Sequence, residues 1–432
     1  MLDIRFIREN ADLVQKNADN KSCKVDIAQL LKLDGDNKVL QIQADELRQK
    51  RNANVAQSKG GRPTPELIAE GKAIKDQLAE IEPKLKEVST EFIDLLKKVP
   101  NMALADVPVG HTEEENVVIK TIGDVPQFDF KPLNHAEIAA KYDWIDKERA
   151  AKVTGSRFAY IKGNLVRLQF AIINFVMDTL GDEQILAEIA KTNNLDVSTK
   201  PFIPVLPPYL LRTDVYDAMD RLEPRDERYA LQVDDLWLQG SAEHVLGSMH
   251  MNEIIEESQM PIRYLGYATS FRREAGTYGK DMEGIFRMHQ FDKLEIESFT
   301  TSENGLNEHL LFSAIQDYMM TKLELPHQII QKCTFDIGKP NARGMDINVY
   351  LPGQGKYRET HTADYMTDYQ SRRLNTRVRR SNGDLELVHT NDATAFALGR
   401  IMIAILENYQ TADGKVMIPK VLQNYLGGRE IL

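Results

Sequence analysis

The chain has 432 residues, a net charge of −11 and ordinary apolar and charged fractions, which suit a globular protein of two or three domains with a large core. No apolar run approaches the roughly 18 residues of a membrane span, the start MLDIRFIREN lacks a secretory core, and a cytoplasmic protein without membrane contact is expected. Two cysteines, Cys23 and Cys333, exclude a disulfide framework or a thiolate metal site, and the acidic balance argues against indiscriminate nucleic-acid binding while permitting a local basic patch.

A short amphipathic start leads into a helical hairpin spanning about 30–99. In its second arm Leu67, Gly71, Ile74, Leu78, Ile81, Leu85, Val88, Phe92, Leu95 and Val99 follow at alternating spacings of four and three, a heptad seam. Leu33, Leu40, Ala44 and Leu47 continue that seam on the first arm, until Arg51 and Asn54 replace apolar residues near the tip. The linker SKGGRPTPE ends one helix and starts the next, with Thr64 or Pro65 at the new N-terminus, and Pro83 should bend the second arm. Arg48, Lys50, Arg51, Lys59 and Arg62 make the outer half locally basic. Such a hairpin serves either as a dimerisation coil or as an arm laid along a phosphate backbone.

After Pro100 a connector rich in small and acidic residues marks a domain boundary. Beyond it, helical patterns around 134–152, 164–180 and 241–257 mix with strand patterns around 157–162, 262–272, 284–299, 330–337, 344–350 and 386–396. Hairpin-like neighbours without βαβ alternation indicate an α+β fold, an antiparallel sheet flanked by helices. Neither GxxxxGK[ST] nor GxGxxG occurs, so a nucleotide site here is built without a glycine-rich phosphate loop.

The stretch 271–299 carries the densest chemistry. Alternation on extended chain puts Arg272 and Glu274 on one face, and Arg287, His289, Phe291, Lys293 and Glu295 on one face of the following strand, opposite Phe286, Met288, Leu294 and Ile296. Arginines, an aromatic ring and carboxylates together form a floor for a nucleotide and a small zwitterion, or else a solvated hairpin with cross-strand ion pairs.

Other segments decide between these. FIPVLPPYLL (202–211), FRREAGTYGKDMEGIFRMHQFDKLE (271–295) and TAFALGR (394–400) stand in the order of the three class II synthetase motifs. With GSRFAYIKGNLVRLQ (155–169), QGSAEH (239–244), ETHTADYMTDYQSRR (359–373) and IPKVLQNYLGG (418–427), the chain resembles the seryl-tRNA synthetase family over essentially its whole length. The resemblance implies an N-terminal tRNA-binding domain over 1–110, bearing an antiparallel two-helix coiled-coil arm, and a class II catalytic domain over 111–432. It also implies a homodimer through the 202–211 segment.

Carried over residue by residue, Arg272 matches the arginine bridging the amino-acid carboxylate and the α-phosphate of ATP, and Arg400 the motif 3 arginine, the two catalytic cations. Glu274 matches the reader of the adenine amino group and Phe291 the ring beneath the base. Arg287 and Arg400 match cations at the terminal phosphate and the outer face of the base. Glu359 matches a carboxylate ligand of ATP-borne Mg2+ and Thr362 its hydroxyl partner; no structural zinc is implied, and His289, His361 and His389 are taken as structural or as supports behind the site residues. For serine, Ser241 and Glu243 occupy a Thr-x-Glu pair, placed on one face by alternation, and Glu295 matches the carboxylate meeting the substrate side chain. Where the family commonly reads Asn-Gly-Ser-Gly, this chain has Asp392, Ala393, Thr394 and Ala395, so Thr394 keeps a hydroxyl while Asp392 accepts without donating. Arg48, Lys50, Arg51, Lys59 and Arg62 fall on the arm that meets the long variable arm of serine tRNA.

The implied activity is ATP-dependent formation of seryl-adenylate and transfer of serine to the 3′ end of its tRNA, with selenocysteine tRNA left open. Alternatives are a synthetase-like ligase for another small amino acid, or one loading a carrier protein, and a catalytically silent RNA-binding homologue.

Overall fold

The heptad seam closes as a hairpin of helices α1 (Ile27–Gln57) and α2 (Pro65–Lys98). Asn37 meets Ser89, Arg48 meets Glu82 and Asn54 meets Leu67, so the arms run antiparallel. Leu47 packs with Ile74 and Leu78, and Leu85 and Phe92 are also buried, each worth about 1.5–3 kcal/mol relative to exposure. Thr64 is the N-cap of α2, its hydroxyl accepting from Leu67 N, with Pro65 in the first turn, and Pro83 lies inside the continuous helix. Toward the tip the seam changes character: Arg51 is exposed, and half-buried Asn54 donates to Leu67 O and Glu70 Oε2, both at 3.1 Å.

The computed structural model describes residues 1–57, 63–274 and 284–432, and the chain divides into two compact units, Met1–Met102 and Ala103–Leu432. In the second, eight strands among the described residues form one sheet: β1 (Val117–Ile122), β2 (Ile203–Val205), β3 (Ile262–Phe271), β4 (Gln290–Thr300), β5 (His327–Gln331), β6 (Arg343–Leu351), β7 (Lys356–Thr367) and β8 (His389–Ala397). Their order is β1-β5-β6-β7-β8-β4-β3-β2, antiparallel except where the edge strand β2 runs parallel to β3. Helices α3 (Asn164–Gly181), α4 (Gly305–Lys322) and α5 (Leu398–Asn408) share one core with Leu294, Ile296, Ile347, Ala393 and Phe396 of the sheet. Arg263, at the start of β3, is 1% exposed and forks onto Glu308 of α4 at 2.8 and 2.5 Å; it also donates to Lys200 O and Ser198 O just before β2.

The sequence pattern misplaces several elements. Only Glu243–Leu246 of the expected 241–257 helix is helical, because Asn252 takes φ +63° and Ile254–Glu256 becomes a strand beside Arg377–Arg379. The 284–299 strand begins only at Gln290. The 134–152 pattern divides into helices His135–Lys141 and Lys147–Val153, and 386–396 into strands Leu385–Leu387 and β8. The 330–337 strand lies earlier, at β5.

Candidate active site

The end of β3 fixes the first functional side chain. Arg272 N donates to His289 O, His289 Nδ1 lies 2.8 Å from Arg272 O, and Arg272 Nε donates to Gly240 O at 2.8 Å. The guanidinium therefore stands over the Phe291 ring, 5.4 Å from its centroid. Glu274 does not reach the site by strand alternation. It sits at φ +49°, a left-handed conformation beyond the strand end, which turns its carboxylate to Arg287 Nη1 at 3.2 Å while Arg157 holds its carbonyl. Residues 275–283 of the second motif lie outside the described residues.

Across the cleft, Glu359 and Thr362 of β7, Thr394 of β8 and Arg400 of α5 join Arg272, Glu274, Arg287, Phe291 and Lys293 around one cavity. Arg400 Nη1 lies 3.0 Å from Glu359 Oε1 and also donates to Glu359 O. The Phe286 ring lies under two guanidinium groups, Arg358 at 4.1 Å and Arg400 at 5.0 Å from its centroid. Such stacking holds the Arg400 side chain extended along the cavity wall.

The amino-acid half is built on Glu295, which is 2% exposed. A β-bulge between β4 and β8 brings Thr394 opposite it. Ser241 and Lys293 both donate to Glu295 Oε1, and Glu243 N donates to Oε2 at 3.1 Å. Ser241 and Glu243 thus converge with Glu295, but from a turn and a single helical turn; strand alternation is not what places them together. The Glu243 carboxylate meets Arg221 Nε at 2.7 Å and His244 Nε2 at 3.4 Å. Burial pushes the Glu243 carboxyl up, yet the Arg221 guanidinium, the His244 hydrogen bond and the Lys293 ammonium together outweigh it and hold the group well below the usual carboxylate range. Asp392 is 2% exposed and reaches the cavity through Arg221, 3.4 Å away. Burial, then the charge of Glu243, pushes the Asp392 carboxyl well above its ordinary value.

Three residues of this site escaped the sequence reading as functional groups. Lys293 belongs to the noted alternating face, and Glu297 is its next member; extending that face by two residues finds it. Arg221 carries no motif, and only the fold brings it to Glu243. Glu297 is 1% exposed, and neither carboxylate oxygen has a hydrogen-bond partner among the described residues. His289 supports Arg272, His361 is buried against Phe396, and His389 bonds Tyr365 OH, so all three serve the scaffold. Among the described residues no group of three or more His, Cys, Asp or Glu is arranged to hold a metal ion.

The basic residues of the hairpin belong to the first unit. Arg48 is paired with Asp45 and Glu82, both at 3.0 Å, whereas Lys50 and Arg51 are exposed without an ion-pair partner among the described residues. Lys59 and Arg62 lie outside the described residues.

This arrangement of an N-terminal hairpin and a mostly antiparallel sheet has close counterparts. The model of the "Seryl-tRNA synthetase N-terminal domain" matches residues 1–103, and that of the "tRNA synthetase class II core domain (G, H, P, S and T)" matches residues 229–409. The serine–tRNA ligase of Nitrosopumilus maritimus is 35% identical over 436 residues, covering 100% of both chains. That of Dictyoglomus turgidum is 37% identical over 440 residues, covering 100% of this chain and 99% of its own. The crystal structure of seryl-tRNA synthetase from Pyrococcus horikoshii complexed with ATP superposes with a TM-score of 0.87 at 35% identity, covering 100% of this chain and 99% of that one. Relatives this similar along the entire chain, on the fold just described, establish that it belongs to the seryl-tRNA synthetase family.

Proposed function

We propose that the chain binds ATP, activates L-serine as seryl-adenylate and transfers the seryl group to the 3′-terminal ribose of serine tRNA. The observation that carries this is a pair of adjoining cavities that share Arg272, Glu274 and Arg287, one lined also by Phe291 and Arg400 and the other by Glu243, whose backbone N–H holds Glu295 beside Ser241, on a chain of this family. A serine carboxylate oxygen attacks the α-phosphorus and pyrophosphate leaves, so the site needs fixed cations more than a base. Arg272 bridges the reacting carboxylate and α-phosphate with a fork that suits both. Phe291 underlies adenine, Glu274 accepts from its amino group, and Arg287 and Arg400 flank the outer phosphates and the base. Ser241 and Glu243 receive the ammonium group, and Glu295, Thr394 and Asp392 surround the hydroxyl side.

Glu359 and Thr362 offer a carboxylate and a hydroxyl on the cavity wall, hard oxygen donors that suit Mg2+, and Glu359 Oε2 has no protein partner among the described residues. The ion supplies charge neutralisation on the phosphates when bound with ATP. In the transfer step a phosphate oxygen of the adenylate takes the ribose proton, so no protein base is assigned.

Residues 1–110 form the tRNA-binding part, with Arg48, Lys50, Arg51, Lys59 and Arg62 laid along the backbone of the long variable arm. A homodimer forms through the 202–211 segment, where Ile203, Leu206, Tyr209 and Leu210 are exposed, which supports a further surface covering them. No described helix is long and apolar enough to cross a membrane, in keeping with a cytoplasmic enzyme. The test is amino-acid-dependent exchange of pyrophosphate into ATP across all twenty amino acids, followed by charging of serine tRNA. Exchange with serine and charging of that tRNA are expected; no exchange with serine overturns the proposal.

A further inference from the structure

Carboxylates crowd the strands beneath the amino-acid half of the cleft. Asp364 of β7, Asp392 of β8 and Glu297 of β4 are directly opposite one another across three adjacent strands, and all three are buried. Side chains in such register lie about 4.5–5.5 Å apart at Cβ, where like charges repel. Lys332 serves the outer end of this row, 3.9 Å from Asp364. Arg221 serves the middle.

The Arg221 side chain is 16% exposed and stands between two carboxylates on separate elements, Glu243 above it and Asp392 below. Its backbone carbonyl accepts from Arg228 Nε at 3.0 Å, which fixes the segment from which it projects. On Glu243, Oε1 is the oxygen nearest both Arg221 Nε and His244 Nε2, the Arg221 contact being an ion pair without hydrogen-bond geometry, and Oε2 accepts no hydrogen bond among the described residues. The neighbouring cavity is shared by Arg221, Glu243 and Arg272, so that free oxygen belongs to a carboxylate facing the same space as the guanidinium assigned to the substrate carboxylate.

We infer that Arg221 is a positioning residue for the amino-acid substrate: seated on Asp392, its guanidinium fixes Glu243 through one oxygen and leaves the other to receive the substrate's ammonium group. This rests on the proposed serine activation. Asp392 is then the lower seat of a guanidinium, which gives a carboxylate at that position a use that an amide would serve less well. Glutamine at 221 would remove the charge, and lysine would supply a point charge too small to span both carboxylates.

The test uses the full-length chain in serine-dependent pyrophosphate exchange, comparing Arg221→Gln and Arg221→Lys with the parent. In Arg221→Gln the KM for serine is expected to rise about 30-fold or more, as when one member of a buried charge pair is lost, with the KM for ATP within about twofold of the parent. Arg221→Lys is expected to recover about tenfold of that loss. An unchanged serine KM in Arg221→Gln, or equal effects on serine and ATP, overturns the inference. If Arg221→Gln does not fold, Arg221→Lys alone decides it: a serine-specific rise in KM supports the inference, and no rise or a rise shared with ATP overturns it. A parent chain that exchanges with ATP but not in response to serine would instead overturn the functional reading on which the inference stands.

Discussion

Replacing Arg263 with Met tests whether the start of β3 is fastened by one buried ion pair. The substitution strands the Glu308 carboxylate, which is 1% exposed, and uncompensated burial of that charge costs about 3–5 kcal/mol. The carbonyls of Ser198 and Lys200 lose charged donors now at 2.8 and 2.7 Å, at about 1–3 kcal/mol each if left unpaired. Methionine's buried surface offsets about 1–2 kcal/mol. A net loss of about 5 kcal/mol should lower the melting temperature of the larger unit by roughly 7 °C, since entropy of unfolding scales with chain length. Calorimetry on the purified chain measures this. Arg263→Met combined with Glu308→Leu removes the stranded charge and should recover about 3 kcal/mol, or roughly 4 °C. If the double variant melts as low as the single one, the cost does not lie in the unpaired carboxylate and the reasoning fails.

Glu297 predicts a pH dependence of stability. Burial, then the charges of Asp392 and Glu243, raise its carboxyl well above the ordinary value, so the native state holds a proton that the unfolded chain releases above about pH 4.3. The parent therefore loses stability as pH rises through that range, and the melting advantage of Glu297→Gln should widen between pH 5 and pH 8; a constant difference counts against it. Lys50→Ala with Arg51→Ala should raise the KM for serine tRNA about tenfold and flatten its salt dependence while leaving pyrophosphate exchange unchanged; a matching fall in exchange would place these residues elsewhere in the reaction. Leu206, 77% exposed on the 202–211 segment, becomes a buried charge on Leu206→Glu if that segment joins two copies. Sedimentation should then show monomer where the parent sediments as dimer, and an unchanged dimer would move the interface off this segment.

The hairpin was legible because a heptad seam is a one-dimensional pattern: Ile74, Leu78, Leu85 and Phe92 are buried as their spacing requires, and Thr64 caps the helix it starts. The site strand was legible from Phe291 to Glu295, where alternation holds. It failed before that stretch. Glu274 adopts a conformation that no alternation describes, and the chain before Gln290 is not extended. Helix α4 left no amphipathic period to read because Glu308, His309 and Gln316 are buried along with its apolar residues. Arg221 was invisible for a different reason: its partners lie on two elements distant in sequence, and nothing local marks a residue whose role is set by tertiary contacts.

Asn54 gives the hairpin a fixed length. Its amide bonds Leu67 O and Glu70 beside Gly71, where an added Cβ would come within 3.1 Å of the Asn54 oxygen. A polar group so held among seam positions sets one register, as a slip of either helix would leave it unpaired. Arm length can therefore change only in whole heptads taken from both helices together. Each step would carry the tip about 10.5 Å along the hairpin axis. The cations near the tip sit at the end of a ruler marked in sevens, and the distance at which they meet a partner is a discrete quantity that evolution or an engineer can alter only one notch at a time.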